Sequence, residues 1–180
     1  MIVVFTTPAM GHVKPMMPLL SGLIEAGGYL VCFGHPAFEP TIRATGAEFR
    51  PYPDVEYNID SPDFNPVQMG ADLMQAAHMI YPALLPQVAA LAPRLILQDF
   101  MSLWGSCIGT ALGIPRVHTI PTIVINPEAE RRMRREDGPV KLAGDVFRGA
   151  PALLKAMIRT RPRVSIREAY GLENSWKRLA

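Results

Sequence analysis

The feature that most restricts the fold is the run Ile2-Val3-Val4-Phe5, closed by the turn Thr6-Thr7-Pro8-Ala9-Met10 and followed by Gly11-His12. Four consecutive apolar residues without alternation read as a strand covered on both faces, as in a parallel sheet. Helical periodicity follows at once, with Leu19, Leu20, Leu23 and Ile24 on one face and Gly27-Gly28 at the close. Pro15 is expected in the first turn of this helix, where its missing N–H costs little. The alternation then repeats. Tyr29–Phe33 is a second strand, residues 36–45 a short helix closing at Gly46, and Glu48–Tyr52 a third strand. A long helix is expected over residues 67–91, bent near Pro82 and Pro86. A fourth strand, Arg94–Gln98, ends at Asp99; a helix running to Gly113 and a fifth strand, Pro115–Ile120, follow. This order predicts an α/β fold, a Rossmann-like parallel sheet with flanking helices and right-handed crossovers.

The 180 residues fit one domain with a full core. Its charge is unevenly spread. Residues 1–126 carry 5 Lys/Arg against 9 Asp/Glu, whereas residues 127–180 carry 13 against 7. The first part reads as the domain core and the second as a basic helical extension of it, with helices near residues 140–160 and 164–170. A solvated helical surface explains such a basic half more simply than an anionic partner, and no nucleic acid is expected. The same holds for Arg131-Arg132-Met133-Arg134-Arg135. Between Pro51 and Pro66, four prolines and four acidic residues mark a long loop, a functional or mobile segment by its length. Cys32 and Cys107 lie in apolar segments without metal or disulfide spacing and read as reduced, buried thiols. The amino terminus lacks a signal-peptide pattern, and residues 73–97 are too interrupted to span a membrane, so the cytoplasm is the expected compartment.

His12 and Asp99 each follow the end of a predicted parallel strand. In open α/β sheets those ends converge on one crevice, so the two side chains can meet. A carboxylate accepting from Nδ1–H would fix the imidazole tautomer and leave Nε2 as a base. The same two residues also read simply as helix caps. No Gly-x-Ser-x-Gly elbow supplies a nucleophile, and Ser106 and Cys107 fall inside a helix. A histidine–aspartate pair without a protein nucleophile suits activation of a substrate hydroxyl. The first turn holds no Gly-x-Gly-x-x-Gly, no Walker-type motif occurs, and no ligand spacing points to a metal. His35, His78 and His118 have no partner identifiable from spacing.

Two motifs carry a resemblance. Gly11-His12-Val13-Lys14-Pro15 with its Leu-rich helix, and Asp99 to Gly105 followed by Leu112-Gly113-Ile114-Pro115, resemble the amino-terminal half of GT-B-fold UDP-glycosyltransferases of the bacterial macrolide type. The resemblance runs from Met1 to about Asn126 and continues more loosely through the basic helices. It implies that His12 deprotonates an acceptor hydroxyl and Asp99 pairs with it. The oxygen then displaces the diphosphate of a nucleotide sugar with inversion. It also implies that this half holds the acceptor, with Gly11 at the donor side, and that a second Rossmann-like domain binds most of the donor. Gly28 departs from the family, where histidine is common, and the second domain's donor motif has no counterpart here.

The expectation is therefore one amino-terminal domain of a GT-B enzyme, transferring sugar to a small hydrophobic natural product of macrolide, polyketide or flavonoid type. A UDP- or TDP-sugar would serve as co-substrate, with no tightly bound cofactor and no metal. Activity is expected only with a carboxyl-terminal donor-binding domain or a separate chain. Met10, Phe64, Met74 and Met101 lie on segments that border the crevice, although core packing is the simpler role for each. Two alternatives stay open: a lipid or cell-wall acceptor with the basic half docked on a membrane, and a non-catalytic ligand-binding module.

Overall fold

A computed structural model describes residues 1–54, 65–121 and 143–156, with residues 128 and 158. Five strands, β1 (Ile2–Phe5), β2 (Leu30–Gly34), β3 (Glu48–Pro51), β4 (Leu95–Asp99) and β5 (Arg116–Thr119), form one sheet. Every pairing is parallel and the order is β3-β2-β1-β4-β5. The chain thus winds outward from β1 to β3, returns to the centre, and winds outward again. That reversal puts β1 beside β4, with Phe5 in register with Gln98. Residues immediately beyond these two strands flank a topological switch point, where such sheets place ligands.

Strand alternation builds a core on each face. Val3, Phe5, Val31, Phe33 and Ile96 join one buried cluster with Ile80, Leu84, Val88, Trp104 and Ile108. These come from helices α3 (Pro66–Leu91) and α4 (Leu103–Leu112). Val4, Leu30, Cys32 and Leu97 join the other cluster with Met16, Leu20 and Ile42, from α1 (Met10–Glu25) and α2 (Glu39–Arg43). With both faces covered, the inner strands read as unbroken apolar runs, which explains their legibility. Burial also pushes the Cys32 thiol up to about 12, so it stays protonated and inert.

Helix α1 starts earlier than Pro15 implied. Ala9 is an extended N-cap, and the amides of His12 and Val13 both bond to its carbonyl. Pro15 and Pro18 therefore lie inside the helix rather than in its first turn. Both are exposed, as are Gly11 and Lys14, whose carbonyls lose their usual amide partners; water can satisfy them there. Helix α3 likewise continues through Pro82 and Pro86.

A further helix, α5 (143–156), packs Ala152, Leu153 and Ala156 on the first cluster. Asn65 links it to α3, accepting from the amides of Val67 and Gln68 while donating Nδ2 to the Asp145 carbonyl. The expected helix at 164–170 and the arginine run at 131–135 lie outside the described residues. No helix among the described residues is long and apolar enough to cross a membrane.

Helix α3 ends on Ala92, left-handed at φ 45°, the one described non-glycine residue with positive φ. A Cβ in that region costs about 1–2 kcal/mol. Ala92 is exposed and has little packing to lose. Ala92→Gly is expected to stabilise the chain by about 0.5–1 kcal/mol, after glycine's own entropy cost. A rise in the urea midpoint at unchanged m-value is the check.

Candidate active site

Helix α1 begins right after the β1 turn, so His12 falls in its first turn, above the central strands. Asp99 closes β4 next door. Their side chains meet, with His12 Nδ1 at 2.9 Å from Asp99 Oδ2. The histidine side chain is 13% exposed and the carboxylate fully buried, so the ring is reachable while its partner is shielded. The Phe100 ring packs against the imidazole at 5.8 Å between centroids.

Asp99 has two further donors. Its Oδ1 accepts from the Thr7 hydroxyl at 2.8 Å and from the Met101 amide at 2.9 Å. A carboxylate only accepts, so Nδ1 must be the protonated nitrogen of the neutral ring, which leaves Nε2 with a lone pair. The alternative of simple capping is met only in part. Asp99 takes one turn amide, whereas Ser102 is the N-cap of α4 and the His12 side chain caps nothing.

The turn that carries His12 is held from several sides. Tyr52 donates to the Thr6 carbonyl at 2.8 Å, and Trp104 Nε1 donates to the Tyr52 hydroxyl at 3.2 Å. The two rings meet edge-on at 5.3 Å. Trp104, fully buried, thus packs rather than offering a stacking surface. Beneath Asp99, the buried Gln98 amide donates to Ser106 Oγ at 2.8 Å and lies 3.4 Å from His118 Nδ1, while its own Oε1 has no partner. Burial, then the Arg116 guanidinium, hold His118 below the usual histidine range, with Asp99 pulling the other way. Among the remaining histidines, His35 accepts from the Ala37 amide at 3.2 Å, and His78 Nδ1 is buried without a partner.

Of the other expected site residues, Met10 and Gly11 precede His12 in α1, and the Met101 amide bonds Asp99. Met10 opens α1 and is 47% exposed. Gly11 beside it is exposed, and a Cβ there would meet nothing within 4 Å. Met74 and Met101 are buried members of the first apolar cluster. Phe64 lies outside the described residues. Thr7, Ser102, Gln98 and Tyr52 went unassigned in the sequence. Thr7 and Ser102 had a usable signal, being hydroxyl residues just past the ends of the two adjacent strands. Tyr52, 46 residues from its partner Thr6, had none. Among the described residues, no group of three or more His, Cys, Asp or Glu is placed to hold a metal.

This fold has counterparts in known proteins. No family model matches the chain. The NDP-glycosyltransferase YjiC of Bacillus licheniformis is 28% identical over 149 residues, covering 78% of this chain and 37% of that protein. The solved glycosyltransferase of kitacinnamycin superposes with a TM-score of 0.68 at 19% identity, covering 95% of this chain and 43% of the other. The spinosyn rhamnosyltransferase SpnG, solved with spinosyn aglycone, gives a TM-score of 0.56 at 20% identity, over 73% of this chain and 37% of SpnG. In sequence and fold the chain is similar to the bacterial natural-product glycosyltransferases of GT-B architecture. It spans less than half the length of these relatives.

Gly105, which closes the second motif, lets α4 approach the sheet beneath Asp99. A Cβ there would stand 2.6 Å from Gln98 Oε1 and 2.8 Å from Phe5 Cδ2. Gly105→Ala is expected to destabilise by about 1–3 kcal/mol through overpacking. Thermal unfolding of the variant tests this, and an unchanged midpoint would show that Gln98 and Phe5 have room to yield.

Proposed function

We propose that the chain is the amino-terminal, acceptor-binding half of an inverting glycosyltransferase, with His12 as general base. One observation carries the reading: the 2.9 Å contact between His12 Nδ1 and a fully buried Asp99 carboxylate beside the switch point. In this reading Nε2 takes the proton of an acceptor hydroxyl. The oxygen attacks the anomeric carbon of a nucleotide sugar, and the bond from that carbon to the diphosphate oxygen breaks. The nucleoside diphosphate leaves with the electron pair and the configuration inverts. Asp99 stabilises the imidazolium that results, as the aspartate does in a hydrolytic triad.

The acceptor is a small hydrophobic natural product and the donor a UDP- or TDP-sugar. Spinosyn aglycone bound to one similar structure, and thymidine diphosphate bound to that same enzyme, support the pairing. Gly11 adjoins the base in sequence, Met10 lies two residues before it, and the Phe100 ring packs against its imidazole. Stabilisation of the departing diphosphate, often the largest single contribution to catalysis, falls to a donor-binding half. The chain alone therefore binds acceptor and transfers little.

Calorimetric titration tests the division of labour. Macrolide or polyphenol aglycones are expected to bind the purified chain, and UDP- or TDP-sugars to bind weakly or not at all. Tight nucleotide binding without aglycone binding would reverse the assignment. In an assembly that transfers sugar, His12→Ala is expected to lower kcat by about 10²–10⁴-fold with aglycone affinity retained. Retained turnover would leave a ligand-binding module in place of the base.

A further inference from the structure

We propose that Thr7 is a positioning residue for this base: its buried hydroxyl, backed by Ser102, fixes the Asp99 carboxylate in the orientation that keeps His12 Nε2 free. The proposal rests on His12 serving as the base and adds the element that orients it.

The protons fix the direction of each bond. Thr7, Asp99 and Ser102 are each fully buried. Thr7 Oγ1 lies 2.8 Å from Asp99 Oδ1 and 3.1 Å from Ser102 Oγ. A hydroxyl has one proton, and the carboxylate has none to give, so the Thr7 proton goes to Asp99. Ser102 must then donate to Thr7. The result is a directed row, Ser102 to Thr7 to Asp99, in which each bond polarises the next in a low-dielectric setting.

The row has a positional effect as well. Oδ1 is pinned from two directions, by the Thr7 hydroxyl and the Met101 amide at 2.9 Å. With Oδ1 fixed, Oδ2 is turned to His12 Nδ1. Thr7 is itself held through its carbonyl, which accepts from the Ala9 amide at 2.8 Å, Ala9 being the N-cap of the helix that carries His12. One residue therefore registers the histidine's helix and the histidine's partner together. A threonine kept only for turn geometry would use its backbone and leave its hydroxyl to any acceptor. Here the hydroxyl bonds the carboxylate that pairs with the base.

The test uses nitrogen-15 NMR of the 180-residue chain at mildly alkaline pH, with the His12 ring signals identified by their loss in His12→Asn. The unsubstituted chain is expected to show one protonated nitrogen, one bare nitrogen and a slowly exchanging Nδ1 proton. Thr7→Val removes the hydroxyl at nearly constant shape. It is expected to average the two nitrogen signals and abolish the Nδ1 proton signal, whereas Thr7→Ser keeps both. A Thr7→Val spectrum with the unsubstituted His12 pattern overturns the proposal. Should Thr7→Val not fold, Ser102→Ala decides, since it removes the donor behind Thr7 but leaves the Thr7–Asp99 bond. A displaced Nδ1 proton signal supports the proposal, and an unmoved one overturns it. Retained turnover in His12→Ala would refute the base itself without touching these spectra, so the two failures are distinguishable.

Discussion

The pairing of β1 with β4 is the constraint on which the rest depends. It places the turn after Phe5 beside the end of Asp99 with no loop between them. Strand β4 ends on Asp99 and the helix that follows β1 carries His12, so the register of the two strands helps to set their separation. Strand pairing is among the stiffest features a chain offers, and the ends of central strands move least. A side chain mounted on a helix that begins five residues after such a strand inherits that stiffness.

Burying Asp99 carries a cost that the surrounding hydrogen bonds must offset. An unpaired carboxylate away from water is penalised by several kcal/mol or more. Here three donors meet its two oxygens: one ring nitrogen, one hydroxyl and one amide. The Tyr52–Trp104 pair extends the scaffold, tying the Thr6 carbonyl to α4. What results is a polar centre inside an apolar shell, specified by β1, β3, β4 and α4 together. Gln98 Oε1 is the exception, a buried acceptor with no partner directly beneath the pair.

The sheet was legible because its inner strands are covered on both sides and so advertise themselves as apolar runs. Strand order was not legible in residues alone, but the rule that ligands gather beyond carboxyl ends already brought His12 and Asp99 together. Boundaries erred where local propensity and the turn disagreed. Pro15 looked like a first-turn residue, whereas Ala9 had already nucleated the helix upstream. The hydroxyl row escaped notice for a different reason. Threonine and serine are common in turns, and their place just past two strand ends was a signal that marks candidates without saying which hydroxyl bonds Asp99. Which apolar residues border the crevice was the least legible. Methionines at plausible positions are equally good core residues, and Met74 and Met101 are packed in the apolar cluster.

The sequence separation of 87 from His12 to Asp99 also bears on how the chain acquires its structure. Strands β1 and β2 close through one crossover helix, a local step with a modest loop entropy. The β1–β4 contact must wait until three more elements have been made, and contacts of such sequence separation form late. Until β4 docks, the imidazole has no carboxylate to choose its tautomer. During synthesis the histidine thus emerges well before its partner and is oriented only once that partner has docked. Nascent or partly folded chains, even with α1 and its neighbours in place, carry an unprimed ring.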